Sequence, residues 1–250
     1  MRAFVLALAM GAASGACAVT ADYAREDRLV DEIVPAIVVG DPVYLATPRR
    51  PRVLAIFTLP QVPPIGAAVI VHGLGVHADW RLVNSLRTDL ADAGMATLSV
   101  QMPVLAADAP RTDYAKLFPE AGERIAAGIE FLRNRRIAKI AIVAHSLGAE
   151  MTDAYLAFSA AVPPSAWVPI GMPVDFASNP AEPVLDIVAQ NDFAEVIAAA
   201  AARARKLPLD TCSRQVVIAG ADHFMGSRRK ELSEVVVRFI KEVFEGNCRE

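Results

Sequence analysis

Apolar residues recur along the chain in short runs that alternate with longer stretches of helical period. Ala67 to Val71, Ala96 to Gln101, Lys139 to Ala144, Ala166 to Ile170, Val184 to Ala189 and Gln215 to Ala219 are short and mostly apolar, as in strands buried on both faces. Between them, Asp79 to Ala93, Pro119 to Arg133, Leu147 to Ala160 and Phe193 to Lys206 read as helices. In the last helix Leu232, Val235, Val236, Phe239, Ile240 and Val243 form one stripe, and Gly246 stops it. Upstream, Ile33 to Gly40, Val43 to Thr47 and Val53 to Leu59 read as extended segments broken by Pro and Gly. A polar loop is expected after Met102-Pro103, reaching the helix near Pro119. This alternation predicts an α/β protein with a mostly parallel sheet, helices on both faces and right-handed crossovers. In such sheets chemistry gathers at the C-terminal ends of the strands.

Residues 1–21 are set apart by their pattern. Arg2 precedes an apolar run from Ala3 to Ala13, and small residues follow. This predicts a secretory signal peptide, too short to span a membrane as a mature helix. Ala16-Cys17-Ala18 and Val19-Thr20-Ala21 are both readable as cleavage sites. Ser14-Gly15-Ala16-Cys17 is similar to a bacterial lipobox, with Ser14 where Leu is usual, so Cys17 is a second candidate for processing, by lipidation. The expectation is an exported protein, periplasmic or envelope-associated, with a single domain over 22–250 and membrane contact only through a lipid on Cys17.

Composition narrows the class. Hydrophobic residues make up 54% and charged residues 21%, which excludes disorder. The net charge of −3 gives no global attraction to nucleic acid or an anionic membrane, and no nucleic-acid partner is expected. Of three cysteines, Cys212 and Cys248 remain after either cleavage. In an oxidising compartment they are a candidate disulfide, or else two separate buried thiols.

The candidate chemistry falls just after the apolar runs. Ile142-Val143-Ala144-His145-Ser146-Leu147-Gly148 carries a Ser between small residues at minus and plus two, where a strand turns into a helix. This is a nucleophile elbow in the form Ala-x-Ser-x-Gly. A larger side chain at either flank would strike the neighbouring strand or helix. The turn would lift the Ser146 hydroxyl into a cleft and aim the Leu147 N–H at the same point. The plainer reading makes Ser146 a helix N-cap. Ile70-Val71-His72-Gly73-Leu74-Gly75 follows an earlier strand, and its glycines let the backbone approach a ligand. Leu74 is the candidate second oxyanion donor; the plainer reading is a glycine turn with a packed His.

A base for Ser146 must come from four histidines. His145 is expected to point away from the Ser, His72 to pack at the glycine loop, and His77 to lie where that loop enters a helix. His223 follows the last expected strand and is the best placed. Asp192 ends the run Val184 to Ala189 and is the candidate acid, with Asp175 the runner-up. Asp186 lies too early in its strand, and Asp222 reads as a turn residue. The order Ser146, Asp192, His223 matches that of hydrolases built on an elbow. His72, His77 and Asp79 offer a metal alternative, but their spacing matches no good ligand set. No metal and no cofactor are expected.

With these residues in place, the chain resembles the α/β-hydrolase superfamily of serine hydrolases, through VIVHGLG, AHSLGA, VLDIVAQND and GADHF. It is also similar to a bacterial branch of exported hydrolases, through His72 to Trp80 and Leu98 to Leu105. The resemblance implies hydrolysis of a carboxylic ester or related acyl bond, on a small-molecule or lipid-like acyl substrate. Only 46 residues separate Ser146 from Asp192, which leaves no room for a large cap domain. The loops Pro103 to Phe118 and Gly171 to Pro183 are expected to cover the site, and Met102, Met172, Phe193, Phe224 and Met225 to line an acyl pocket. Acyl transfer to an acceptor other than water uses the same groups. A non-catalytic envelope protein binding a lipid or partner is the remaining alternative.

Overall fold

The expected sheet forms. A computed structural model describes residues 20–158, 160, 163–209 and 211–248; most of the proposed leader, Cys17 included, lies outside the described residues. Eight strands run in the order β1-β2-β4-β3-β5-β6-β7-β8. They are β1 (Asp41–Leu45), β2 (Val53–Thr58), β3 (Ala67–Val71), β4 (Ala96–Val100), β5 (Ile140–His145), β6 (Ala166–Ile170), β7 (Leu185–Asn191) and β8 (Arg214–Asp222). β1 pairs antiparallel with β2, and β2 with β4. From β4 to β8 every pairing is parallel.

The helices are α1 (Tyr23–Ile33), α2 (Arg81–Asp92), α3 (Phe118–Arg133), α4 (Leu147–Phe158), α5 (Ala194–Lys206) and α6 (Arg229–Glu245). Alternation along the central strands separates two cores. Val69, Val71 and Leu98 pack with Ile125, Ile129 and Leu132 of α3 and with Tyr155 of α4. Ala68, Ile70 and Val143 pack with Leu82 and Leu86 of α2 and with Phe239 and Ile240 of α6. The architecture is therefore an α/β sandwich of a mostly parallel sheet between two helical layers.

Two expectations fail at the N-terminal half. The chain before β1 is helical: α1 is followed by a 3₁₀ turn at Val34–Ala36, where an extended segment was expected. The segment after Met102 is not a polar loop. Val104, Leu105, Tyr114 and Leu117 are buried, and a 3₁₀ helix spans Arg111–Leu117. At the other end of the chain, Cys212 and Cys248 form a disulfide that ties the segment before β8 to the tail after α6.

Candidate active site

Ser146 occupies the one-residue turn between β5 and α4 with φ +56°. A non-glycine residue rarely adopts this left-handed conformation, and it persists only where neighbours enforce it. Here the Ser146 N–H donates to the Ile170 carbonyl at 2.8 Å, and the Ser146 carbonyl accepts from Ala149 N–H at 2.9 Å. Gly148 is required by close approach, since a side chain there would overlap the backbone carbonyls of Val71 and His72. The glycine of the elbow thus lets α4 begin against the end of β3.

His223 follows β8, and Asp192 follows β7. The His223 Nδ1–H donates to Asp192 Oδ1 at 2.5 Å, which leaves Nε2 to accept from the Ser146 hydroxyl at 2.9 Å. The carboxylate is itself fixed by Phe193 N–H at 2.8 Å on Oδ1 and Ala189 N–H at 3.2 Å on Oδ2. Burial pushes the Asp192 pKa up, but the His223 contact and these two amides outweigh it and hold the carboxyl below its usual range. The three side chains thus stand in hydrogen-bonded sequence at the C-terminal edge of the sheet. Gly171, φ +61°, passes beneath the His223 ring, where a Cβ would meet it at 3.2 Å.

The glycine loop after β3 crosses the same edge. A Cβ on Gly73 would lie 3.2 Å from Ser146 Cβ, so the backbone leading into Leu74 runs in contact with the serine. Leu147 opens α4, so its N–H has no carbonyl one turn back within the helix. Leu74 and Ser146 line one pocket of about 260 Å³ together with Val76, Trp80, Phe193 and His223. Leu74 thus borders the same space as the Ser146 hydroxyl, and Leu147 follows Ser146 directly at the start of α4.

The other sequence candidates separate. His72 is buried, donates from Nδ1 to the Gly73 carbonyl at 2.9 Å, and accepts Met102 N–H on Nε2 at 2.9 Å. Burial lowers its pKa to about 3, so it is a neutral clamp between the glycine loop and the end of β4. His77 Nδ1 accepts from Asp79 N–H at 3.2 Å, while the Asp79 carboxylate takes Asn84 and Arg87. Among the described residues no three potential ligands gather around a metal position. Asp175 pairs with Lys206 at 2.8 Å and does not meet His223. Asp186 is enclosed with Arg203 at 3.0 Å. Asp222 accepts from Phe224 and Gly226 N–H, the expected turn role.

His145 departs from expectation. Its ring does not point away from the site; it forms part of the pocket wall, with its centroid 4.9 Å from that of His223. Nε2–H donates to the His223 carbonyl at 2.9 Å, and Trp80 stacks on it at 6.1 Å. Burial first, then the neighbouring His223, lowers the His145 pKa to about 4. Of the five residues expected to line an acyl pocket, Phe193 and Phe224 do so, whereas Met102, Met172 and Met225 are core residues. Arg111 and Pro173 reach the pocket from the two covering loops. The sequence offered no signal for Arg111, which pairs with Glu150 at its rim.

A family model described as a protein of unknown function (DUF3530) matches residues 61–122, a stretch that holds β3, the glycine loop, α2 and β4. No curated protein matches the chain by sequence. An α/β serine hydrolase homologue from Coxiella burnetii is similar in structure, with a TM-score of 0.65 and 19% identity over 81% of this chain and 98% of that one. Est1E from Butyrivibrio proteoclasticus gives 0.67 and 16%, over 82% and 99% of the two chains. An α/β serine hydrolase without lid from Xanthomonas campestris gives 0.66 and 18%, over 86% and 97%. The chain has the α/β-hydrolase fold, with no large cap domain among the described residues.

Proposed function

We propose that this protein is a serine hydrolase that cleaves a carboxylic ester or related acyl bond. The carrying observation is the hydrogen-bonded series Ser146 Oγ, His223 Nε2, His223 Nδ1, Asp192 Oδ1, at 2.9 and 2.5 Å. Ser146 attacks the carbonyl carbon while His223 takes the hydroxyl proton. The negative charge that develops on oxygen is held by the Leu147 and Leu74 N–H groups. His223 then returns the proton to the departing alkoxide as the carbon–oxygen bond breaks, leaving an acyl-serine. Water, deprotonated by His223, releases the acid and restores Ser146. Asp192 keeps Nδ1 protonated throughout and stabilises the imidazolium. Structural likeness to serine hydrolases and to an esterase domain supports the reading, as does likeness to Est1E with ferulic acid bound, which favours a small-molecule substrate. Acceptor alcohols added to the assay separate hydrolysis from acyl transfer.

A fluorophosphonate probe tests the nucleophile without knowledge of the substrate. Wild type is expected to label at Ser146, and Ser146→Ala and His223→Ala, shown to be folded, to stay unlabelled. Unlabelled wild type at neutral pH would overturn the assignment. Export belongs to the same proposal. It is supported by the leader-like pattern of residues 1–21 and by the Cys212–Cys248 disulfide, a bond typical of oxidising compartments.

A further inference from the structure

Beside the reaction pocket lies an open cavity of about 650 Å³, lined by Trp80, Arg81, Asp222, Phe224, Gly226 and Arg229. Trp80 and Phe224 belong to both spaces, and their edge-to-face contact at 5.8 Å forms the partition. A substrate seated on Ser146 therefore needs only to pass this aromatic pair to enter the second cavity.

The charges in that cavity are arranged against local helix rules. Arg81 and Arg229 are the first residues of α2 and α6. A helix start already carries partial positive charge from its unpaired N–H groups, so acidic residues are favoured there and arginine is not. Neither helix has a side-chain cap, and the first turn of α2 holds no acid. Among the described residues neither arginine has an acidic partner within ion-pair distance, although Arg87 and Arg228 nearby do. Asp222 faces the same cavity, but its Oδ1 already accepts the Phe224 and Gly226 N–H groups at 3.1 and 3.2 Å. Glu231, in the first turn of α6, leans to Arg228 at 3.9 Å. Two arginines thus share one cavity with a single carboxylate, Asp222, which pairs with neither of them, so the cavity carries a net positive charge. The reaction pocket differs: its Arg111 is engaged by Glu150, and Glu195 adds negative charge at its wall.

We propose that the Arg81–Arg229 cavity is a subsite for a carboxylate carried by the substrate, so that the preferred ester bears a second, ionised acid group. The proposal rests on the serine hydrolase reading and names its substrate class. The apolar slot of Leu74, Val76 and Phe193 takes the chain around the ester, and Glu195 disfavours an anion there. Beyond Trp80 and Phe224 the planar guanidinium forks suit a carboxylate.

The test compares mono-4-nitrophenyl esters of adipic, suberic and sebacic acid with the same esters methylated at the far carboxyl. The readout is the ratio of kcat/KM, anionic over neutral, so changes common to both substrates cancel. Wild type is expected to favour the anionic ester up to about fivefold at the chain length that spans the partition, as for one partly screened charge contact. Arg81→Gln with Arg229→Gln should bring the ratio near one. Arg81→Glu with Arg229→Glu should invert it without lowering Tm, because glutamate suits a helix start. A wild-type ratio near one at every length, or a preference that survives charge reversal, overturns the subsite. If probe labelling of Ser146 is intact in that case, only the subsite falls. An unlabelled serine with no ester turned over fells the hydrolase reading itself.

Discussion

At the scale of single residues, the site stores conformational strain where its chemistry lies. Ser146 holds φ +56° because its N–H is bound to Ile170 and its successor helix starts at once. Glycine adopts that conformation without penalty. Ser146→Gly is therefore expected to be more stable than Ser146→Ala by about 1 kcal/mol in urea unfolding, with both inactive. Two buried histidines make a second prediction. His72 and His145 have folded pKa values near 3 and 4, below the ordinary 6.5. Below about pH 6.5 the unfolded chain binds protons that the folded chain refuses, so stability present above that pH is lost as the pH falls. His145→Phe should flatten the slope between pH 6.5 and 4 by up to about 1.4 kcal/mol per pH unit, read from denaturation midpoints at stepped pH. Most of the site's residues were legible because each follows an apolar run at the same sheet edge. The orientation of His145 was not: strand alternation says which way a side chain leaves the backbone, but not that Trp80 and His223 would draw the ring to the pocket wall.

At the scale of elements, α1 shows why a helix escaped the pattern. Its apolar stripe is short: Leu29, Val30 and Ile33 pack with Leu54 and Ile56, while its other buried position is a charge, Glu26. It is also held by polar contacts that sequence periodicity does not encode. Glu26 pairs with Arg124 of α3 at 3.0 Å and with Arg50 at 3.4 Å, and accepts Val104 N–H. Arg25 donates to the carbonyls of Leu105 and Gly75, fastening the helix to the covering segment and to the glycine loop. Arg124 is fully enclosed between Glu26 and Glu120, and Arg50 also leans on Glu26, so removing Glu26 leaves two cations with one carboxylate fewer. Glu26→Ala is expected to cost about 3 kcal/mol in unfolding free energy, and Glu26→Gln, which keeps an acceptor for Arg124, to cost less. The central parallel strands, by contrast, were plain in the sequence, because strands such as β3, β5 and β6 are buried on both faces and read as near-continuous apolar runs.

At the scale of the whole molecule, the start of the chain bears on how it is processed. Ala21 is buried, and Asp22 both caps α1 through Arg25 N–H and donates its own N–H to the Val104 carbonyl at 2.7 Å. Cleavage after Ala21 would remove a core residue, whereas cleavage after Ala18, or processing at Cys17, would retain it. Intact mass of protein recovered from the cell envelope is expected to show a chain beginning at Val19 or at a lipidated Cys17. A chain beginning at Asp22 would count against this, and full-length protein confined to the cytoplasm would count against export.

The walls of the Ser146 pocket also bear on how an ester would reach it in the proposed reaction. One covering segment is pinned by Arg25 at Leu105 and by Arg111 at Glu150; the other is pinned by Arg203, which donates to the carbonyls of Met172 and Val174. With both sides fastened and no large cap domain among the described residues, neither segment is a flap to be pulled open by an oil–water boundary. Turnover should climb smoothly as an ester passes from dissolved monomers to micelles, without a lag or a jump.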